Sequence, residues 1–524
     1  MFKRFMKMHR KENMIILFFT LCQVIIQVMT SLMLSWATNE LLAGRLKGFL
    51  LWNSFNFFWW GILFIINYYL GAYEEKVVQR ISMDMRAYIT NKLEVTTYQN
   101  VKSKAQGTFV SWLNNDIEKI QEQGVRQYYT YWGQIFSIVL SSLALLSFHY
   151  SLLLLTLVLV FLLTHLPKAF EGRMNQATQK LSLAQEAFVA KIQDTLAGFD
   201  IFYGFNRLPK LRERVTEAGV SLLDEQVSYT KDMKIAEGSI GYINVFCQVA
   251  VVTFTGVLAF FRFFKLGAMS STGNLSASIF NGVSQLSQSR MLMKATDAYF
   301  EKYEAFEAAE EEERTPIPIK ESIEIRDLTY KIAGKTIFSH LNLKFEKGKK
   351  YAIIGESGSG KSTLLNILSG RLEPNEGEVL VDGQVVQQPK FLRDSLTYIP
   401  QVSYIFSDTI LHNMTLWEEQ PATNVSAAYE ATGLNSFTTL AEQVEEGGKN
   451  MSGGQRQRLS FSRALLNNKD IYFLDESTAN LDRPTAIKLE RLLLEQEEAT
   501  VLLVTHHLYP ENEGLFDEVI HLNG

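Results

Sequence analysis

The sequence predicts a multidomain fold in which an all-α membrane domain of six spanning helices, with long cytoplasmic helical extensions, precedes an α/β P-loop domain. Of the 524 residues, 47% are hydrophobic and only 20% charged, and nearly all long apolar runs lie before residue 300. Beyond that point a strand, a glycine-rich loop and a helix follow one another. We expect the membrane domain at 1–312, a linker at 313–320 whose prolines break helix, and the α/β domain at 321–524.

The first predicted span is residues 14–36, which carry no charge and are long enough to cross the roughly 30 Å hydrocarbon core as a helix. The basic stretch MFKRFMKMHRK before it places the N-terminus in the cytoplasm by the positive-inside rule. A cleaved signal peptide is the alternative, but this run is longer than its apolar region and lacks a small-residue cleavage site. The other predicted spans are about 49–70, 130–149, 151–166, 238–263 and 274–293.

Two long segments between the spans, 71–128 and 167–237, are polar and rich in Lys and Arg. We therefore expect both to be cytoplasmic helical extensions, with both chain termini in the cytoplasm and the lipid bilayer as a partner. The net charge of −5 shows no basic excess, which argues against nucleic acid as a partner. Cys22 and Cys247 lie inside apolar runs, which favours packing over a disulfide or a metal site.

Polar side chains recur at helical spacing inside several spans. Such stripes either join helices through hydrogen bonds or line a water-filled pathway for a polar or amphipathic substrate. No Asp or Glu lies within the predicted spans, which argues against a carboxylate proton relay as the energy source. The candidate pathway residues are Gln23, Gln27, Asn244, Gln248, Ser278, Asn281 and Gln285.

The segment KKYAIIGESGSGKSTLLNILSG predicts a strand, a phosphate-binding loop and a helix. In this arrangement backbone N–H groups wrap phosphates, the helix N-terminus adds its dipole, Lys361 neutralises the outer phosphates and the Ser362 hydroxyl ligates Mg²⁺. The candidate binding residues are Gly355, Glu356, Ser357, Gly358, Ser359, Gly360, Lys361, Ser362 and Thr363.

Two further buried strands end in polar tips. In DIYFLDES, Asp475 is the expected Mg²⁺ ligand and Glu476 the group that orients and polarises an attacking water. In TVLLVTHH, His506 is the expected contact to the terminal phosphate, with His507 as the competing choice.

A second glycine pair lies in NMSGGQRQR, where Ser452 and Gln455 form an S-x-x-Q capping box. A cap alone does not explain Gly453 and Gly454, because each Gly disfavours helix by about 1 kcal/mol relative to Ala. Unobstructed N–H groups at the positive end of a helix predict a second anion site.

Taken in order, these motifs resemble the ATP-binding cassette superfamily, specifically the six-helix exporters that carry membrane and nucleotide domains in one chain. The resemblance covers essentially the whole chain: GESGSGKST looks like Walker A, YIPQ like the Q-loop, NMSGGQ like the signature, YFLDE like Walker B, ANLD like the D-loop and VTHH like the H-loop. It implies an α/β P-loop ATPase domain with ATP and Mg²⁺ as cofactors. The implied catalytic residues are Glu476, His506 and Gln401, and the implied metal ligands are Ser362, Gln401 and Asp475.

The same resemblance implies that Tyr330 stacks on adenine and that Asp482 belongs to the D-loop. It implies that Ser452 to Gln455 bind the γ-phosphate of ATP held by a partner chain, so that the protein works as a homodimer or with a second half-transporter. Coupling helices are expected near 96–105 and 199–206.

The expected function is an ATP hydrolase coupled to transport: an exporter in the plasma membrane for a polar or amphipathic small molecule or peptide. Two alternatives remain open at this point. One is an importer of siderophore or haem built on the same fold, which would differ in the direction of flux. The other is a membrane sensor whose ATPase regulates a partner, which would produce no vectorial flux in proteoliposomes.

Overall fold

A computed structural model describes residues 1–104, 106–165, 168–306, 319–332, 334–356, 358–386, 395–479 and 481–522. The chain forms two compact units, one of Met1–Asn91 with Gly107–Phe306 and one of Lys92–Gln106 with Glu307–Gly524. The first unit is helical and the second is α/β, as predicted, but the second also takes in a short segment from the N-terminal half. Most of the predicted linker lies outside the described residues.

Each of the six predicted spans lies wholly or largely in a helix, within the residues that the structure describes. In chain order the helices up to residue 304 are α1 (Phe2–Met8), α2 (Arg10–Leu42), α3 (Leu46–Val95), α4 (Tyr98–Lys102), α5 (Gln106–Ser111), α6 (Ile117–Ile120), α7 (Arg126–Phe148), α8 (Tyr150–His165), α9 (Lys168–Ala197), α10 (Phe199–Gly204), α11 (Leu208–Phe260), α12 (Ala268–Ala295) and α13 (Asp297–Glu304). Two π-helical turns, Trp112–Asp116 and Gln121–Val125, flank α6.

Four helical stretches in the described part of the chain are long and apolar enough to cross a membrane: Arg10–Leu42, Leu46–Val95, Gly107–Phe148 and Leu208–Phe260. α8 is a shorter apolar helix. α12, which contains the sixth predicted span, is not in this set, because its polar stripe dilutes its apolar residues. Its role as a span therefore stays a prediction.

The predicted helical extensions are present. α3 and α11 have 50 and 53 residues, more than twice the roughly 20 that a bilayer core requires. α9 adds a further 30-residue helix. Cys247 is buried in a cluster with Leu152, Val251 and Phe280, which confirms its predicted packing role.

The strands of the second unit are β1 (Ser322–Ile332), β2 (Lys335–Glu346), β3 (Lys350–Ile354), β4 (Glu376–Val381), β5 (Gln384–Val385), β6 (Leu396–Ile399), β7 (Ile471–Asp475), β8 (Thr500–Thr505) and β9 (Glu518–His521). They form a four-stranded antiparallel sheet in the order β2-β1-β4-β5 and a five-stranded parallel sheet in the order β6-β7-β8-β3-β9. The helices are α14 (Lys361–Leu368), α15 (Ile410–Thr415), α16 (Ala422–Ala431), α17 (Gly453–Asn467), α18 (Arg483–Leu494) and α19 (Pro510–Glu513).

The parallel sheet positions the candidate site residues at one of its edges. β3 pairs with β8 and β8 with β7, all parallel, so the carboxyl ends of these strands lie at one edge. The glycine loop follows β3, Glu476 follows β7 and His506 follows β8. Ligands of open α/β sheets bind at such an edge, because loops and helix N-termini converge there.

Candidate functional site

The glycine loop closes over the amino group of Lys361. Lys361 is the first residue of α14 and only 4% exposed, and its Nζ donates to the backbone oxygens of Gly355 at 2.9 Å and Glu356 at 2.8 Å. Neutral carbonyls are weak partners for an ammonium group compared with anionic oxygens. The Lys361 ammonium group can therefore exchange these carbonyls for the oxygens of a negatively charged ligand.

Glycine is required at two loop positions for steric reasons. A Cβ at Gly360, whose φ is +92°, would lie 2.6 Å from Cζ of Phe338. A Cβ at Gly355 would lie 2.4 Å from the backbone oxygen of Leu522. Gly358 also has a positive φ, +86°, whereas Ser357 lies outside the described residues.

The hydrogen bonding of the Ser359 hydroxyl indicates whether this loop fits phosphate. Its Oγ is buried without a hydrogen-bond partner among the described residues. A buried polar atom of this kind costs roughly 1 to 3 kcal/mol unless a ligand or water satisfies it. Together with Lys361 and the glycine backbone, it fits the oxygens of a nucleotide's phosphate chain.

Two of the three predicted metal ligands, Ser362 on α14 and Asp475 on β7, contact each other. Ser362 Oγ donates to Oδ1 of Asp475 at 2.7 Å, and Asp475 is 8% exposed. A hydroxyl and a carboxylate are oxygen ligands of the kind that Mg²⁺ prefers. The two oxygen ligands lie side by side, so the pair fits a Mg²⁺ ion, and their role as metal ligands stays a prediction.

Tyr398 is a site residue that the sequence analysis missed. Its hydroxyl donates to Oδ2 of Asp475 at 2.8 Å, and its ring stacks under the Arg371 guanidinium, 3.6 Å from the ring centroid. Burial, and then the negative charge of Asp475, raise the pKa of the Tyr398 phenol, so it remains a donor at neutral pH. Its position in YIPQ, on the strand beside β7, is the only sequence signal that could have found it.

The three predicted catalytic residues meet at one carboxylate. Gln401 Nε2 donates to Oε2 of Glu476 at 2.7 Å, and Nε2 of His506 lies 2.9 Å from Oε1 of the same group. Glu476 itself has a left-handed backbone, φ +47°, and its N–H donates to the oxygen of Val504. The structure brings His506 to Glu476, while His507 contributes its backbone to hydrogen bonds with Thr505.

The family resemblance implies two roles for Gln401, one as a catalytic residue and one as a metal ligand. Its amide nitrogen is directed to Glu476, and its backbone oxygen accepts a 2.6 Å hydrogen bond from Gln457 of α17. The amide oxygen is left as the atom available for a metal. The role as a metal ligand stays a prediction.

The second glycine pair begins α17 as predicted. Ser452 Oγ accepts from the N–H of Gln455 at 3.2 Å, and the Ser452 N–H donates to Oε1 of Gln455 at 2.8 Å, which confirms the capping box. A Cβ at Gly453 would meet nothing within 4 Å, and one at Gly454 would meet Leu481 at an ordinary 3.4 Å. Packing within this chain therefore does not require glycine here.

Two other predicted nucleotide residues have structural partners. Asp482 caps α18 by accepting from the N–H of Thr485, and hydrogen bonds from Thr485 lower the pKa of its carboxyl. Tyr330 is 8% exposed and packs in the core beside Phe338. Its stacking on adenine stays a prediction, and the packing leaves little of its ring free.

The polar stripes of the helical unit divide into two groups. Gln27 and Ser278 line a cavity of about 350 Å³ together with Asn274 and other polar side chains of α2, α3, α7 and α12. Cavity lining is what the pathway interpretation predicts. Gln285 is half-buried.

The other stripe residues take part in hydrogen bonds between or along helices. Asn244 Nδ2 of α11 donates to Asn281 of α12 at 2.8 Å, and within α11 Gln248 donates to Asn244 at 2.7 Å. Gln23 donates to Asn67 at 2.7 Å. These bonds favour the packing interpretation for this group.

Comparisons with known proteins agree with this organisation. The family model described as "ABC transporter transmembrane region" matches residues 14–284, and the model described as "ABC transporter" matches residues 338–479. A solved structure of a bacterial Atm1-family ABC exporter with ATP bound superposes with a TM-score of 0.81, covering 98% of this chain and 94% of that one, at 18% identity. At this low sequence identity, the superposition shows a common fold.

Among curated relatives, the glutathione/L-cysteine transport system ATP-binding/permease protein CydC of Bacillus subtilis is 36% identical over 224 residues, 40% of this chain and 39% of its own. An ATP-dependent lipid A-core flippase of Pseudomonas aeruginosa is 25% identical over 475 residues, 86% of this chain and 76% of its own. The lactococcin-G-processing and transport ATP-binding protein LagD of Lactococcus lactis is 34% identical over 182 residues, 33% of this chain and 26% of its own. The chain thus matches well under half of CydC and LagD and about three quarters of the flippase.

Proposed function

The chain belongs to the ABC transporter family, with the transmembrane region and the ATP-binding domain in one polypeptide, and from this premise we propose that it is one half of an ATP-driven exporter. The observation that carries the proposal is the convergence of Gln401 and His506 on Glu476, next to the Ser362–Asp475 pair. A carboxylate held on both sides, beside a metal-ligand pair and a phosphate loop, is arranged for ATP hydrolysis.

Each residue has a definable task in that reaction. When ATP binds, the Lys361 ammonium group leaves its backbone carbonyl partners and contacts phosphate oxygens. The buried Ser359 hydroxyl donates a hydrogen bond to the same phosphate chain. Ser362 and Asp475 would hold Mg²⁺, which when bound neutralises charge on the phosphates. Glu476 orients the attacking water and accepts its proton, while Gln401 and His506 fix the carboxylate in place.

The bare start of α17 supports a dimer. Gly453 faces open space in this chain, and the first N–H groups of α17 lie at the positive end of a capped helix. We infer that this turn completes the nucleotide site of a second half-transporter. A symmetric homodimer and a heterodimer both satisfy this geometry, because Glu476, His506 and the α17 turn are all present here.

The names of several relatives favour export. They include a lipid A-core flippase and a lactococcin-G transport protein, and the matching fold is that of an exporter. A polar or amphipathic substrate agrees with the mixed lining of the cavity at Gln27 and Ser278. We place the protein in the plasma membrane with both termini in the cytoplasm, where ATP is available.

The test is Glu476→Gln in the full chain, reconstituted in lipid with any obligate partner. Hydrolysis should fall at least about a hundredfold, since general bases contribute 10²- to 10⁴-fold, while ATP binding is retained. Glu495→Gln, an exposed glutamate of the same domain, should be silent. Normal hydrolysis by Glu476→Gln would refute the assignment; inward flux would indicate an importer, and hydrolysis without flux a sensor.

A further inference from the structure

A cavity of about 580 Å³ lies at one end of the helical unit, between α1, the first turns of α2, the start of α7 and the end of α12. Four cationic side chains line it, and Asp297 is the one acidic residue among its lining side chains. The remaining wall is mainly apolar and aromatic. The cations are Lys3, Lys7, Arg10 and Lys294, and the aromatic wall is formed by Tyr128, Tyr131 and Trp132.

The short helix α1 is fixed in place. Phe5 is 3% exposed and stacks on Phe300 with ring centroids 6.2 Å apart, while Tyr88 meets it edge-on at 6.0 Å. Asn13, at the start of α2, donates to the backbone oxygen of Met6 at 2.8 Å and accepts from the Tyr129 hydroxyl at 2.6 Å. The basic face of α1 is thus held against the cavity by the helices behind it.

The cations around the cavity are not paired within the part of the chain that the structure describes. None of the ion pairs described there includes Lys3, Lys7, Arg10 or Lys294, although neighbouring cations do pair, as Lys302 does with Asp116 at 2.5 Å. Four cations that share a cavity with Asp297 as its one acidic lining residue keep an excess of positive charge, and like charges repel one another. The arrangement is stabilised when an anion enters from outside the chain.

The surroundings of the cavity indicate which anion. Beyond Asn13, α2 becomes apolar and exposes Met14, Ile15 and Phe18, and this composition indicates that the helix enters hydrocarbon near this point. Tyr and Trp side chains are enriched at this level of a membrane, and basic residues mark the cytoplasmic side. A ligand here contacts cations at the headgroup level and apolar walls just below it.

We propose that this cavity binds an anionic phospholipid of the cytoplasmic leaflet, with the headgroup phosphate among Lys3, Lys7, Arg10 and Lys294 and the upper acyl chains against Trp132 and Met14. Basic pockets between membrane helices bind acidic lipid headgroups by the same combination of charge and apolar contact. A cavity of 580 Å³ is large enough for a headgroup and glycerol backbone. The site depends on insertion in a membrane and not on ATP hydrolysis, so its test is independent of that of the transport function.

The experiment compares lipids that bind to the purified full chain by native mass spectrometry, with phosphatidylglycerol and phosphatidylcholine of the same acyl chains as probes. Lys7→Gln with Arg10→Gln should lower the affinity for phosphatidylglycerol about fivefold for each cation removed. The matched control is Arg4→Gln with Lys11→Gln, which removes the same charge from the same two helices at exposed positions outside the cavity. The control should change the affinity less than twofold, and binding of phosphatidylcholine should be unaffected.

Three results would overturn the proposal: equal affinity for the two lipids in the wild-type chain, no loss in the Lys7 and Arg10 variant, or an equal loss in the control. The last result would show attraction to the general basic surface. Lys294→Gln provides a second test variant if the double variant does not fold, because this cation lies on α12, far along the sequence from α1. It should also lower the affinity about fivefold.

Discussion

The hydroxyl of Tyr398 donates to Oδ2 of Asp475 at 2.8 Å, while Ser362 donates to the other oxygen of the same carboxylate at 2.7 Å. Behind Tyr398, the guanidinium of Arg371 lies 3.6 Å from its ring centroid and 5.4 Å from that of Tyr98 on α4. α4 falls within one of the two segments expected to be coupling helices. A continuous series of contacts therefore joins α4 to the proposed metal ligand.

Tyr398→Phe should raise the Mg²⁺ concentration needed for half-maximal ATPase activity about three- to tenfold. The change removes one hydrogen bond to a charged group and leaves the ring under Arg371, so Asp475 is less firmly oriented. ATPase activity measured across a Mg²⁺ titration checks it. Tyr404→Phe is the control, because this tyrosine is exposed and its ring, which the change retains, contacts that of Phe406. An unchanged Mg²⁺ profile in Tyr398→Phe would mean that the hydroxyl does not position Asp475.

Gly453→Ala should abolish most ATPase activity without lowering thermal stability. The added Cβ meets nothing within this chain, and Ala favours helix over Gly by about 1 kcal/mol, so the melting temperature should hold or rise slightly. Activity should fall at least about tenfold if a partner's nucleotide approaches this turn, which corresponds to about 1.4 kcal/mol.

Gly514→Ala is the matched control for that change. Gly514 is also in the α/β unit, has no positive φ and has nothing within 4 Å of an added Cβ. It should leave both activity and stability unchanged. Full activity in Gly453→Ala would remove the main support for a composite site.

Motif spacing could place Ser362 and Asp475 in one site, and could predict the capping box, because each depends on local geometry or on the carboxyl ends of strands in one parallel sheet. The contacts of Tyr398 with Asp475 and Arg371 could not be predicted in this way. They depend on the register of β6 against β7 and on a residue just beyond the end of α14, neither of which leaves a periodic signal.

The polar stripes show a second limit. Ser278 and Asn281 lie one turn apart on one helix face, yet Ser278 lines the cavity and Asn281 accepts a hydrogen bond from Asn244. Helical spacing reports which face of a helix is polar. Whether that face meets a cavity or another helix depends on its neighbours, which a single sequence does not specify.

The cavity at Gln27 and Ser278 should be open to water. In a chain whose native cysteines are replaced, Cys22→Ser and Cys247→Ala, we expect Ser278→Cys to react rapidly with a membrane-impermeant methanethiosulfonate reagent. Ser276→Cys is the control, since Ser276 lies two residues away and is fully buried. It should react at least tenfold more slowly. Equal rates at the two positions would mean that the α12 stripe does not face water.

Asp382→Asn should loosen the start of the α/β unit. The Asp382 carboxylate accepts from the backbone N–H groups of Lys320, Glu321 and Ser322 at 2.7 to 3.0 Å. Asn keeps the shape and tolerates the left-handed backbone but loses the charge. Hydrogen exchange of the Glu321 and Ser322 amides, measured at pH 7, should become roughly tenfold faster, and Glu378→Gln, an exposed change on β4, should not affect it.

This effect should depend on pH with a definite sign. Burial alone would raise the pKa of Asp382, but the three backbone donors outweigh it and lower that pKa below 3.8. A lowered folded-state pKa gives stability that is present above the unfolded value and lost as the pH falls through the folded value. The difference between wild type and Asp382→Asn should therefore close below pH 3.8, and a constant difference would contradict the charge-based explanation.

The left-handed backbone of Glu476 has a consequence for the history of such genes. At φ +47° a glutamate is strained by roughly 1 to 2 kcal/mol, whereas Gly, Asn and Asp adopt this conformation more readily. On the proposed function, selection for hydrolysis keeps a long carboxylate there against that strain. In a duplicated copy relieved of such selection, neutral drift should replace this position early and towards those three residues, while the loop and the helix cap, which also stabilise the fold, would diverge later.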